Sequence, residues 1–137
     1  MAGEIVASND LLEERAEKMR ELFDANHSLR LFQNDFRPHP KHVAGDFAEA
    51  GFAGYARINM AGKWKLVFKV IDGEWQYSSV DVFFTATTGA DETIFGWYLV
   101  GSGKVKLSCR LPFPKRMVMG QSLQIRLDCQ TWATSIL

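Results

Sequence analysis

Two stretches near the end of the chain alternate strictly between apolar and polar residues. Val105, Leu107, Cys109 and Leu111 interleave with Lys104, Lys106, Ser108 and Arg110. Leu123, Ile125, Leu127 and Cys129 interleave with Gln124, Arg126, Asp128 and Gln130. A period of two places alternate side chains on opposite faces of a strand, so each stretch is predicted to bury one face and wet the other. An isolated hairpin cannot bury such a face, which obliges the chain to build a larger antiparallel sheet assembly.

The same signals extend upstream. Trp64, Leu66, Phe68 and Val70 alternate with Lys63, Lys65, Val67 and Lys69, and Asp72-Gly73 follows as a type I′ hairpin turn. Residues 74–78 and 80–87 continue the pattern, with Val80, Val82, Phe84 and Ala86 on one face. Thr88-Gly89-Ala90-Asp91 reads as a turn. Residues 93–100 form an apolar, aromatic-rich run suited to a strand buried on both faces. Gly101-Ser102-Gly103 is the next hairpin turn, and Pro112 and Pro114 are expected to end the strand that follows. Residues 29–34 and 55–60 supply two earlier strands, and Asp46–Glu49 suggests one helical turn between them. Eight short strands separated by turns predict an antiparallel β-sandwich of the jelly-roll kind, with a closed barrel as the alternative.

One segment differs. Over residues 9–25, Leu11, Leu12, Met19, Leu22 and Phe23 recur at helical spacing, and Asp10 with Glu13 resembles a capping box. The expected organisation is therefore a mainly β fold with one N-terminal α-helix: a helical arm over 1–28 and a β-sandwich domain over 29–137. Of the 137 residues, 47% are apolar, enough for one core and too many for a disordered chain. No signal-like or membrane-spanning run is present, so a reducing cytoplasm is the expected site of synthesis.

Net charge is zero, which disfavours non-specific nucleic-acid binding. The charge is nonetheless polarised. Residues 1–27 hold seven acids and three bases, whereas residues 101–137 hold six bases and one acid, Asp128. A mildly dipolar surface accounts for this. So does head-to-tail contact, with the acidic arm of one copy on the basic sheet of another.

Little catalytic chemistry is legible. Cys109 and Cys129 fall at inward positions and read as buried free thiols acting as small hydrophobes. His39 and His42 lie near Asp35 and Asp46, but Pro40 breaks the helix that a His-x-x-His zinc site needs. The acid pairs Asp46/Glu49 and Asp91/Glu92 fit capping and loop solvation better than a glycosidase cleft. Trp64, Trp75, Tyr77, Trp97 and Tyr98 could line a sugar-binding face, although a chain of this size needs most of them in its core. Because Trp97 and Tyr98 point to opposite faces, one of them is expected to mark a second layer: the helix, a subunit interface or a ligand. No catalytic residue, metal ligand or cofactor is assigned.

Two motifs carry a resemblance. Leu31-Phe32-Gln33-Asn34-Asp35-Phe36-Arg37-Pro38 and the later segment Asp46-Phe47-Ala48-Glu49-Ala50-Gly51-Phe52-Ala53-Gly54-Tyr55-Ala56 stand at a characteristic distance. Together with Ile94-Phe95-Gly96-Trp97-Tyr98-Leu99 and the strand after Gly120, they resemble a group of small tailed-phage proteins encoded among virion genes. The resemblance covers roughly residues 29–130. It implies a structural protein of the virion, in first place a capsid decoration (cement) protein on the capsid surface. The major capsid protein is then the implied partner, a homo-oligomer is expected, and neither nucleic acid nor membrane is. A tail or neck component and a carbohydrate-binding sandwich are the alternatives. The residues expected at protein interfaces are the basic Lys104, Lys106, Arg110, Lys115 and Arg116 and the acidic Glu13, Glu17 and Glu21, with the Pro-containing loop 35–45 as a further contact element. Within the motifs, Asn34 and Asp35 suit side-chain bonds to turn backbone, and Gly51 and Gly54 suit unusual backbone angles beside a buried Phe52.

Overall fold

The computed structural model describes residue 14, residues 26–69 and residues 74–130; for 66–69, 74–77 and 128–130 it describes backbone path and pairing. The predicted N-terminal helix, with Glu13, Glu17 and Glu21, and the Asp72-Gly73 turn lie outside the described residues.

The chain is mainly β, with antiparallel sheets and almost no helix among the described residues. Its strands are β1 (Ser28–Phe32), β2 (Ile58–Asn59), β3 (Trp64–Lys69), β4 (Glu74–Ser79), β5 (Val82–Thr85), β6 (Asp91–Gly101), β7 (Lys104–Val118), β8 (Ser122–Ile125) and β9 (Asp128–Gln130). They form a four-stranded sheet in the order β2-β1-β6-β7, a three-stranded sheet β3-β4-β9 and a two-stranded sheet β5-β8. None of these sheets closes into a barrel. The expected hairpin over residues 64–78 is present, since β3 pairs with β4 from Trp64 opposite Ser79 to Lys69 opposite Glu74.

One large core joins all three sheets. Leu29 and Leu31 of β1, with Ile94 and Leu99 of β6, meet Trp64 of β3, Val82 and Phe84 of β5 and Ile125 of β8. The opposite face of the four-stranded sheet carries a second, aromatic cluster of Phe32, Phe47, Tyr98 and Val100. Phe47 stacks on Tyr98 with ring centroids 4.3 Å apart, and Phe36 meets both Phe32 and Phe47 edge to face. Trp97 and Tyr98 therefore do point into different layers. Among the described residues, the second layer over Tyr98 is the chain's own segment 33–47.

Several expectations are corrected by the pairing. The strand predicted over 123–130 is two strands, because the chain leaves β5 after Ile125 and joins β4 at Asp128. Residues 55–57 are not in a strand, which shortens that element to Ile58–Asn59. The helical turn falls at Ala44–Asp46, starting two residues before the expected Asp46–Glu49, and is a 3-10 turn. Val80 is exposed, whereas Val82, Phe84 and Ala86 are buried as predicted.

β7 departs furthest from the reading of its sequence. It passes through Pro112 and Pro114, which do not end it. Its partner registers explain why. Gly96 faces Arg110 while Ile94 faces Lys115, so Leu111-Pro112-Phe113-Pro114 is a four-residue bulge opposite the single residue Phe95. β7 is an edge strand of its sheet, and edges and bulges are where proline's missing N–H costs no ladder bond. A second shift lies between Leu99/Leu107 and Val100/Val105. The extra residue, Lys106, reverses the facing of everything before it: Leu107 packs on the large core and Val105 on the aromatic cluster. Cys109 pairs with Trp97 at the unpartnered edge and is exposed, which corrects the expectation of a buried thiol.

Candidate functional site

The segment 33–47 is fixed to the sheet by the motif residues. The Asn34 side-chain oxygen accepts the Ala48 N–H at 2.9 Å, and its amide nitrogen donates to the Asp46 carbonyl at 3.1 Å. Asn34 thus spans to backbone twelve and fourteen residues away, further than the adjacent turn expected for it. Asp46 accepts the Val43 N–H at 2.8 Å. Glu49 takes a two-pronged ion pair from Arg57, both bonds at 2.8 Å, and accepts the Tyr55 hydroxyl at 2.7 Å. The Arg57 hydrogen bond holds the Glu49 carboxyl below the usual carboxylate range, against a partial burial that raises it, with the Tyr55 bond adding to the lowering. Burial first, and the Glu49 hydrogen bond second, push the Tyr55 phenol far above its ordinary value. Gly54 has a φ of +93°, and a Cβ there would lie 2.6 Å from the Thr85 carbonyl oxygen, so this position requires glycine. Gly51 has no such requirement: its φ is not positive and nothing lies within 4 Å of a Cβ placed on it.

The far end of the same segment leaves a groove. Residues 37–42 form one wall and residues 105–110 of β7 the other, enclosing about 570 Å³. Three cations, Arg37, Lys106 and Arg110, line it together with His39, His42 and Cys109, and among the described residues no carboxylate does. The wall is held by Arg110, which pairs with Asp35 at 2.6 Å, donates to the Phe36 carbonyl at 2.9 Å and lies over the Phe95 ring at 5.5 Å. A smaller depression continues from Arg37 and Arg110 along Leu111 and Pro112 to the β7 bulge. There Phe113, between its two prolines, is 83% exposed.

The histidines are organised by a turn. The His42 Nδ1 accepts the His39 N–H at 2.8 Å, and the His39 Nδ1 accepts the Lys41 N–H at 3.1 Å. In their neutral forms both rings then carry the proton on Nε2. Among the described residues no three His, Cys, Asp or Glu side chains converge on a point. The Cys109 thiol is shielded on one side although the residue is exposed, and this desolvation raises its pKa, the reverse of what a reactive thiolate needs.

The predicted interface residues separate into two groups. Lys106 and Arg110 come together in the groove. Lys104 is exposed at the start of β7, and Lys115 and Arg116 lie beyond the bulge, with Arg116 paired to Asp91 at 2.9 Å. The four carboxylates weighed for catalysis are engaged separately: Asp46 at Val43, Glu49 at Arg57, Asp91 at Arg116, and Glu92 accepting the Gly51 N–H at 2.8 Å. Of the candidate sugar platform, Trp64 and Tyr98 are buried and Trp97 is half-buried. Phe113 was not singled out from sequence, yet an apolar residue between two prolines inside an alternating run is a legible signal for a projecting bulge.

Comparison of the chain with protein-family models, with curated proteins and with solved structures returned no match. Among the described residues no helix is long and apolar enough to cross a membrane.

Proposed function

We propose that this chain is a structural protein of a tailed-phage particle, acting as a capsid decoration protein that grips the major capsid shell. Its fold on this reading is a jelly-roll-like sandwich, with the four-stranded sheet as one layer and β3-β4-β9 with β5-β8 as the other. Phe113 is the observation that carries the reading. A phenylalanine exposed on a proline-braced bulge gains nothing for the fold, whereas burial in a partner's pocket is worth about 1.5–3 kcal/mol. Large aromatic side chains seated in a partner's pocket dominate the energetics of many protein interfaces. The resemblance of the two motifs to virion-encoded proteins supplies the partner class, and their residues here serve the fold: Asn34 holds the covering segment, Glu49 anchors its base to Arg57 and Tyr55, and Gly54 lets the chain pass close to Thr85.

Purified protein mixed with undecorated phage shells, then imaged by electron cryomicroscopy, is expected to add density on the outer shell surface. Phe113→Ser should abolish that density while leaving the circular dichroism spectrum unchanged. Bare shells after mixing, or labelling confined to the neck or tail of complete particles, would contradict the decoration role.

A further inference from the structure

The groove presents positive charge that the described residues leave uncompensated. Arg110 is held by Asp35, but among the described residues neither Arg37 nor Lys106 has a carboxylate partner, and both are exposed. The chain carries a matching acidic segment. Residues 4–24 contain seven acids against three bases, with Glu13, Glu17 and Glu21 recurring every fourth residue.

Residues 26 and 27, which lead from the acidic segment into β1, are hydrogen-bonded to the β2 side of the sheet. The Met60 N–H donates to the His27 carbonyl at 2.8 Å, and the Asn59 side chain donates to the Asn26 side-chain oxygen at 3.3 Å. The described chain therefore enters the sheet at the start of β1, beside β2, whereas the groove runs along β7, the edge strand farthest from β2. We propose that the groove receives the acidic segment 4–24 of a second copy, so that copies join head to tail. Two different surfaces make a heterologous contact, which closes into a ring or extends as a filament according to the rotation per step. The proposal does not rest on the particle reading, because it requires no shell.

The test uses the full-length chain in sedimentation velocity, with no shell present. Wild-type protein is expected to self-associate at low ionic strength and to dissociate as salt screens the contact. The variants Arg37→Glu/Lys106→Glu and Glu13→Lys/Glu17→Lys/Glu21→Lys should each weaken association by about tenfold or more. Mixed in equal amounts they should restore it, because each groove then meets an arm of opposite sign. Restoration on mixing separates a specific contact from damage to either variant, and circular dichroism of each variant checks its fold. A wild-type chain that stays monomeric across the concentration range, or a mixture that associates no better than its components, would overturn the proposal. Shell binding by a wild-type chain that stays monomeric in solution would leave the particle reading standing while this inference fell.

Discussion

The two faces of the four-stranded sheet are covered in different ways. One face meets two other sheets, and Leu29, Leu31 and Leu99 there are wholly buried against Trp64, Phe84 and Ile125. Among the described residues the other face is covered by one segment, 33–47, whose aromatic residues pack over Phe32 and Tyr98. Sheet-on-sheet packing closes its surface. Segment-on-sheet packing is narrower than the sheet beneath it, and the uncovered strip along β7 is where the groove and the Phe113 bulge sit. The contrast assigns stability to the first face and recognition to the rim of the second.

Paired substitutions in adjacent residues of β1 separate the two faces most sharply. Phe32→Ala should cost about 3–5 kcal/mol and Leu31→Ala about 2–5 kcal/mol in denaturant unfolding, since both are fully buried. Their consequences should differ: Phe32→Ala loosens segment 33–47 and raises hydrogen exchange there, and Leu31→Ala leaves that segment's relative protection intact. Equal effects of both on the segment would break the division into two faces. Asn34→Ala, which hands the exposed Ala48 N–H to water, is expected to lose about 0.5–1.5 kcal/mol and to weaken shell binding along with stability.

The titration of the Glu49–Tyr55 pair sharpens the comparison further, because this pair lies at the base of the covering segment. The folded-state pKa of Glu49 is depressed, so its stabilisation is full above the unfolded carboxylate value of 4.5 and is lost as pH falls through the lower folded value. Tyr55 acts at the other extreme. Its folded pKa is raised, so the unfolded chain releases its phenolic proton first and stability declines as pH rises above 10. Glu49→Gln should flatten the acid limb of a stability–pH profile and Tyr55→Phe the alkaline limb. The smallest effect on folding belongs to Phe113→Ser, within about 0.5 kcal/mol of wild type, as befits an exposed side chain.

How much of this was legible in the sequence follows from how local each feature is. The strand at 104–111, the turns at Thr88–Asp91 and Gly101–Gly103, and the buried row Val82, Phe84, Ala86 depend on neighbouring residues and are legible, although the facing of Val105 and Cys109 is not. The bulges of β7 depend on the partner strand's register, so a one-residue slip at Lys106 moved Val105 to the other face without any mark in the alternation. Pro112 and Pro114 looked like a strand end because their tolerance depends on β7 being an edge, which only the topology reveals. Lys106 and Arg110 were anticipated as surface charges. Their convergence with Arg37, about seventy residues earlier in the chain, required the Asp35–Arg110 pair and the aromatic cluster that bring loop and strand together.

The claim that recognition lives on the rim of the loop-covered face is tested most directly by hydrogen–deuterium exchange of the full-length protein with and without undecorated shells. Protection gained at the 111–114 bulge and its flanking β7 residues, with the strands of the large core unchanged, is the predicted result. Protection that instead falls on β5 and β8, or no change at the bulge while shells are bound, would contradict it.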